Sequence, residues 1–133
     1  MFRELVVQAI ENRFSIDESG QIIEFSNGGC PWKEHFFELE KKMGLDTSEK
    51  QVLYSIFPDS NGSWRIQGVP VSSHSFDLRK ALPDPWRGLR DKELDAMCGI
   101  EGCVFVHASG FIGGHSTREG ALEMGKKALV FEN

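Results

Sequence analysis

The sequence predicts an α/β fold with some α+β character, in which a mixed β-sheet is covered by helices. Two observations support this class. The predicted elements run helix, strand, helix, hairpin, helix, strand, helix, an order typical of a mixed sheet with helical layers. The chain of 133 residues is 40% hydrophobic and 26% charged, as expected for one globular domain with a sizeable core. We therefore expect a single domain over 1–133. No apolar run approaches the roughly 20 residues of a membrane span, so no membrane partner is expected.

Hydrophobic spacing and turn residues place the individual elements. Apolar residues at helical spacing predict a first helix over 2–13. Pro31 suits the first position of the second helix, and Gly44 suits its end. Ser116 and Glu119 form a Ser-x-x-Glu capping box that predicts the start of the last helix. The remaining predicted elements are strands 21–25, 51–57, 64–69 and 103–107 and a short helix over 91–97, with an irregular stretch over 70–85.

Charge and cysteine content restrict the environment and the partners. The net charge of −5 argues against a protein that coats nucleic acid generally. Segment 79–92 is nevertheless basic, with five Lys or Arg against two Asp, so an anionic partner is expected there. The three cysteines are odd in number and form no Cys-x-x-Cys pair. Free thiols in a reducing, intracellular compartment are therefore expected.

Gly113-Gly114-His115 is the motif most indicative of function, and we predict that it forms a turn before the last helix. Glycines let a backbone approach a ligand closely, and a helix N-terminus favours an anion. His115 and Arg118 add side-chain donors, and an arginine can bind a phosphate with two hydrogen bonds. These residues predict a phosphate site. The alternative is a tight turn from strand to helix in which the glycines serve geometry alone.

A second candidate site is the cluster of Trp86, Arg87 and Arg90. An exposed tryptophan beside two arginines is able to stack on a base and hold the nucleic-acid backbone. In the alternative interpretation, Trp86 lies in the core and the two arginines pair with Asp84 and Asp91.

Thiol or metal catalysis within this chain is not indicated. Cys30 is predicted at a helix start, where a thiol becomes more reactive, but His35 lies one turn along the same helix and cannot orient freely toward it. A buried thiol at a corner between loop and helix is the favoured interpretation. The four histidines, His35, His74, His107 and His115, have no spacing typical of metal ligands. We expect no metal and no cofactor in this chain.

Five sequence blocks carry a resemblance to a known family. They are GGCPWKEH (28–35), WRIQ (64–67), PDPWRGLRD (83–91), GCVFVHASGFIGGH (102–115) and TREGAL (117–122). Together and in this order they resemble the C-terminal half of the melanocyte-proliferating-gene family. These proteins are eukaryotic members of the DHH phosphoesterase superfamily and are also described as metal-dependent protein hydrolases.

The resemblance implies a metal-dependent exonuclease that acts on RNA from its 3′ end, in nucleus and mitochondrion. In such proteins an N-terminal half holds the divalent metals, Mn or Mg, through motifs that include Asp-His-His. The C-terminal half resembles the DHH-associated domain, whose GGH loop binds substrate phosphates. That role is carried over to Gly113, Gly114 and His115, with Arg118 beside them.

No Asp-His-His occurs in this sequence. The resemblance therefore implies the substrate-binding half without its catalytic half. We expect no nuclease activity from the chain alone and weak binding of RNA or nucleotide phosphates, with the N-terminal catalytic domain as partner. The alternative is a protein-interaction or dimerisation module, with a second copy of the chain as one partner, that uses Trp86, Phe76 or Phe111 outside the core.

Overall fold

The fold is described from a computed structural model. It covers residues 2–25, 33–44, 51–72 and 77–131. Four residues named in the sequence predictions, Cys30, Pro31, His74 and Phe76, lie outside these described residues.

Five strands and five α-helices make up the described residues, and the predicted α/β class is confirmed. In chain order they are α1 (Phe2–Glu11), α2 (Arg13–Ile16), β1 (Ile22–Glu24), α3 (Lys33–Lys42), β2 (Tyr54–Pro58), β3 (Trp64–Gly68), α4 (Asp91–Cys98), β4 (Cys103–Val106), β5 (Ile112–His115) and α5 (Arg118–Val130). Among the described residues, a 3₁₀ turn over Asp84–Trp86 precedes α4.

The strands form one mixed sheet in the order β1-β2-β3-β5-β4. β1 and β2 are parallel, and every other neighbouring pair is antiparallel. The predicted hairpin is confirmed by the β2–β3 register, which pairs Tyr54 with Gly68 and Pro58 with Trp64. A parallel pair needs a crossover connection, and the segment that contains α3 provides it.

Each face of the sheet has its own hydrophobic core. Because side chains alternate along a strand, Ile22 and Ile23 of β1 point to opposite faces. Ile22 belongs to the core closed by α4 and α5, which contains Ile56, Ile66, Leu94 and Met124. Ile23 belongs to the second core, over β1 and β2, which is closed by α1 and α3 through Val6, Ile10, Phe36 and Leu39. The layer of α1 and α3 therefore packs on β1 and β2, whereas β4 packs in the core under α4 and α5.

The prediction of one helix over 2–13 is wrong in one respect, because in the structure α1 ends at Glu11 and the helix is interrupted at Asn12. Asn12 has φ −90° and ψ 1°, and a new short helix, α2, begins at Arg13. Asparagine competes with helical hydrogen bonding and often occurs at such breaks. The change of direction brings the Phe14 ring against Gly20, where an added Cβ would lie 2.5 Å from Phe14 Cε1.

A buried ion pair links α3 to the segment after β3. Arg79 donates from both terminal nitrogens to the Glu40 carboxylate, at 2.8 and 2.5 Å, and also to the carbonyl oxygen of Val52 at 3.0 Å. The two side chains are only 7% and 3% exposed. Arg79 belongs to the basic segment 79–92. Because Glu40 neutralises its charge inside the protein, Arg79 is not available to an external anion.

Glu40→Gln is expected to lower the free energy of unfolding by about 3 kcal/mol, because it leaves the Arg79 cation buried without its counter-ion. Glu38→Gln is the matched control on the same helix, where the exposed i,i+4 pair with Lys42 contributes less than about 1 kcal/mol. Urea denaturation of the three proteins measures the difference. Equal losses in the two variants would contradict the assigned role of the Arg79–Glu40 pair.

Candidate functional site

The predicted turn at Gly113-Gly114-His115 is wrong, because these residues belong to β5. β5 lies between β3 and β4, and the register places Gly114 opposite Arg65 on one side and Phe105 on the other. The backbone N–H groups of a strand with two neighbours point toward those neighbours. The two glycines therefore do not offer N–H groups to a ligand in the way a turn would.

The absent side chains of these glycines make room on both faces of the sheet. A Cβ on Gly114 would lie 3.1 Å from Phe105 Cε1, on the face where the Arg65 guanidinium covers the Phe105 ring at 4.9 Å from its centroid. A Cβ on Gly113 would lie 3.2 Å from Leu82 Cδ1, on the face of the main core. The glycines thus allow Arg65 and Phe105 to meet across β5 and Leu82 to pack beneath it.

His115 ends β5 and is buried, with 3% of its surface exposed. Its Nε2 donates to the carbonyl oxygen of Glu101 at 2.6 Å, and its Nδ1 accepts from the backbone N–H of Thr117 at 3.0 Å. This pattern requires the neutral tautomer with the proton on Nε2. Both ring nitrogens are occupied within the fold, so His115 positions its neighbours and has no donor left for a phosphate.

The His115 ring lies directly against the first turn of α5. A Cβ on Gly120 would lie 1.9 Å from His115 Cε1, a distance that no real contact allows. The ring also lies close to Gly102, where an added Cβ would be 2.9 Å from the same atom. Gly120 and Gly102 therefore create the space that the imidazole fills, a role that the sequence predictions missed.

The predicted capping box of Ser116 and Glu119 is also wrong, because Thr117 is the N-cap of α5. The Thr117 hydroxyl accepts from the N–H of Gly120 at 3.0 Å and lies 3.2 Å from His115 Nδ1. Ser116 instead donates its N–H to the carbonyl oxygen of Gly102 at 3.0 Å. Within the described ranges, the backbone N–H groups of Arg118 and Glu119 donate to no acceptor.

Arg118 follows the cap and reaches across to β1. Its Nε donates to a carboxylate oxygen of Glu24 in an ion pair whose side chains are 35% and 14% exposed. Among the described residues, the two terminal nitrogens of Arg118 have no acceptor. The guanidinium is thus held from one edge, and its other donors remain available at the start of α5.

Asp95 of α4 fixes the turn that carries Glu101. Its carboxylate accepts from the N–H groups of Cys103 at 2.9 Å and Gly102 at 3.3 Å. Partial burial acts to raise the pKa of Asp95, but the hydrogen bonds from Cys103 and Gly102 outweigh it and hold the pKa below its ordinary range. The ionised carboxylate therefore supports the carbonyl that His115 binds.

For the cluster of Trp86, Arg87 and Arg90, the structure agrees with the interpretation in which Trp86 lies in the core and the arginines pair with aspartates. Trp86 is 4% exposed and lies in the main core, so its ring is not available to stack on a base. Arg87 pairs with Asp84 at 3.2 Å, and Arg90 lies 3.9 Å from Asp91. Of the three side chains, that of Arg90 is well exposed, at 74%.

In the described part of the chain, no three or more His, Cys, Asp or Glu side chains lie close enough to hold a metal ion. No helix in that part is long and apolar enough to cross a membrane. The described residues therefore do not fit a catalytic metal centre.

Comparison with known proteins identifies the family of the chain. The model of a family described as "Uncharacterised protein family (UPF0160)", the MYG1 exonuclease family, matches residues 1–129. The chain is 54% identical over 128 residues to a MYG1 exonuclease of Mus musculus and 53% identical to that of Homo sapiens, with 96% of this chain covered. A MYG1 protein of Saccharomyces cerevisiae is 47% identical over the same share. No solved structure matches.

Fold and site together define a mixed-sheet α/β unit in which a buried histidine joins the central strand to the start of the last helix. The chain belongs to the MYG1 exonuclease family, as the resemblance predicted. It spans about a third of the length of the mouse and human relatives, 33% in each case.

Gly120→Ala is expected to destabilise the chain by about 2 kcal/mol or more, because the added methyl overlaps the His115 ring. In a His115→Ala background the same change is expected to be neutral or stabilising by up to about 1 kcal/mol, since alanine is the better helix former. Chemical denaturation of the four proteins gives the coupling. Equal effects of Gly120→Ala in both backgrounds would contradict the contact.

Asp95→Asn is expected to lower stability most near neutral pH. A carboxylate with a depressed pKa stabilises the fold above its unfolded value, about 3.9, and that contribution disappears as the pH falls through the lower folded value. The stability gap between wild type and variant should therefore narrow as the pH drops below about 4. Denaturation at pH 7 and at several acid values measures the gap, with exposed Glu93→Gln of the same helix as control. A gap independent of pH would contradict the role given to Asp95.

Proposed function

We propose that this chain is the phosphate-binding part of an exonuclease that shortens RNA from the 3′ end. The observation that supports the proposal best is at the start of α5, where, among the described residues, neither the terminal nitrogens of Arg118 nor the backbone N–H groups of Arg118 and Glu119 have an acceptor. The names of the mammalian relatives, MYG1 exonuclease, support a nucleic-acid substrate.

The proposed phosphate site uses α5 rather than the glycines of β5. The free N–H groups of Arg118 and Glu119 point along the helix axis, and the helix dipole places about half a positive charge at this end. The Thr117 cap leaves these two groups open because its hydroxyl binds the third, that of Gly120. An anion is thereby favoured in front of the first turn.

The Arg118 side chain is held in place for the same anion. Glu24 accepts from Nε and so restricts the rotation of the guanidinium, while the terminal nitrogens have no acceptor among the described residues. A guanidinium that is already oriented loses less entropy when it binds a phosphate. Glu24 also cancels part of the positive charge, which keeps the affinity low.

His115 enters this proposal as a positioning residue. It accepts from the Thr117 N–H and is itself held by Glu101, so it sets the position of the cap relative to β5. In this scheme Gly113 and Gly114 shape β5, and their contribution to phosphate binding is indirect.

We place hydrolysis in the part of the relatives that this chain does not span. The described residues hold no group suited to a metal, so no hydrolytic step is assigned to them. We propose that the other part would hold the Mn or Mg, which would supply the activation of water, and that the chain alone is inactive. The partner of the phosphate-binding surface is then that catalytic part, and action in the nucleus and mitochondrion belongs to the same proposal.

A role as an interaction or dimerisation module has less support. Trp86 lies in the core, and Phe111, 37% exposed, packs edge-on against His107 with 4.8 Å between the ring centroids. Arg90 remains a candidate for an extended RNA contact because of its exposure. Sedimentation at several concentrations distinguishes the two roles, since a strict monomer would contradict dimerisation.

Arg118→Gln is expected to weaken the binding of a short 5′-phosphorylated RNA about tenfold and to reduce the dependence of log affinity on log salt by about 1, because one phosphate contact is lost. In an NMR titration of the chain, shifts should centre on the amides of Arg118 and Glu119. Lys42→Gln removes the same charge from an exposed side chain of α3 and serves as the matched control.

Two results would contradict the phosphate site. One is equal weakening in the Arg118 and Lys42 variants, which would indicate non-specific attraction. The other is RNA that binds no better than sulfate, with no shifts at the start of α5 in a folded protein.

A further inference from the structure

Two buried thiols lie in contact beneath the site. Cys98 ends α4 and Cys103 begins β4, and each is 5% exposed. Their sulfur atoms are 3.2 Å apart, and both thiols point toward the carbonyl oxygen of Ile100, at 3.8 Å from Cys98 and 3.3 Å from Cys103. Both cysteines are free.

We propose that Cys98 and Cys103 form a redox-sensitive pair that closes to a disulfide and restrains the turn supporting α5. The proposal stands apart from the proposed function, since it concerns the thiols and not the RNA. The two sulfurs need to approach by only about 1.1 Å to reach the length of a disulfide bond, about 2.05 Å. The residues between them already form a compact turn, so closure requires no rearrangement of distant elements.

A peroxide is the oxidant by chemical class. The thiolate of one cysteine attacks the peroxide oxygen, the O–O bond breaks, and a sulfenic acid forms as hydroxide leaves and takes up a proton. The second thiol loses its proton and attacks that sulfur, so the S–S bond forms and the sulfenic oxygen leaves as water. In total, two thiols and one hydrogen peroxide yield one disulfide and two waters.

The environment of the two thiols controls the rate of their oxidation. Burial, with the neighbouring Cys98 and Asp95, raises the pKa of the Cys103 thiol well above its ordinary value. The dithiol form therefore persists until the last turn of α4 opens and an oxidant enters. The exposed backbone of Gly99 and Gly102, next to the two cysteines, provides the approach.

Closure restrains the contacts that hold the start of α5. The turn between the cysteines contains Glu101, whose carbonyl accepts from His115, and Gly102, whose carbonyl accepts from the N–H of Ser116. A disulfide across this turn limits its opening and thereby stabilises both hydrogen bonds. Oxidation is expected to slow hydrogen exchange at the amides of Ser116 and Thr117 several-fold.

The test is peptide mapping of the folded, fully reduced chain after treatment with hydrogen peroxide and blocking of remaining thiols with a maleimide. Cleavage after Glu101 separates the two cysteines in sequence, so their peptides stay joined only if the disulfide has formed. We expect the joined pair, two hydrogen atoms lighter than the separate peptides, in wild type and in Cys30→Ser. Cys98→Ser is expected to yield no such product. Mapping of wild type needs no substitution and so remains decisive if a variant fails to fold.

Maleimide on both Cys98 and Cys103 after oxidation would overturn the proposal, as would pairing with Cys30 or a disulfide that forms only in denaturant. Hydrogen exchange of the oxidised and reduced chain tests the link to α5. The link would be overturned if the disulfide formed and the exchange rates of the Ser116 and Thr117 amides did not change. It would also be overturned if those rates changed and dithiothreitol did not restore them.

Discussion

The neutral imidazole of His115 is the interaction on which the rest of the site depends. It receives a hydrogen bond from the N–H of Thr117 and donates one to Glu101, so one buried ring joins the end of β5, the turn after α4 and the start of α5. Gly120 leaves the space that the ring occupies. The same contact sets the position of α5, which contributes Ala121, Met124 and Ala128 to the main core. Packing and the candidate site are therefore consequences of one local arrangement.

Much of the fold was predictable because its signals are local. Helical spacing and the polar loop between β2 and β3 identified α1, α4 and the hairpin to within a few residues. The glycine pair of β5 was misread because two consecutive glycines usually indicate a turn. The glycines are required because Arg65, Phe105 and Leu82 occupy the space beside β5, and these three residues come from other parts of the chain. The capping box failed for a related reason, because the Ser116 N–H is engaged by Gly102 and the chain enters the helix one residue later.

The candidate site was predictable only in part. Arg118 was singled out by its place near a helix start, but its partner Glu24 lies 94 residues away, and no local pattern connects them. For Trp86 the residue type alone left two interpretations open, a ring that stacks on a base and a ring in the core. The burial of the ring, which only the structure gives, decides for the core. The family was recognisable because five blocks occur in order, and the match over residues 1–129 confirms it. Because the chain spans about a third of the mammalian relatives, we propose that hydrolysis takes place in their remaining part.

The measurement that tests this account most directly is nitrogen-15 NMR of the His115 side chain in the folded protein at neutral pH. The account predicts a proton on Nε2 that exchanges slowly with water because it is buried against Glu101, together with an unprotonated Nδ1 that accepts from Thr117. Nitrogen shifts and couplings distinguish the two neutral tautomers from each other and from the cation. A ring protonated on Nδ1, or one whose protons exchange rapidly with solvent, would contradict the claim that His115 joins β5 to α5.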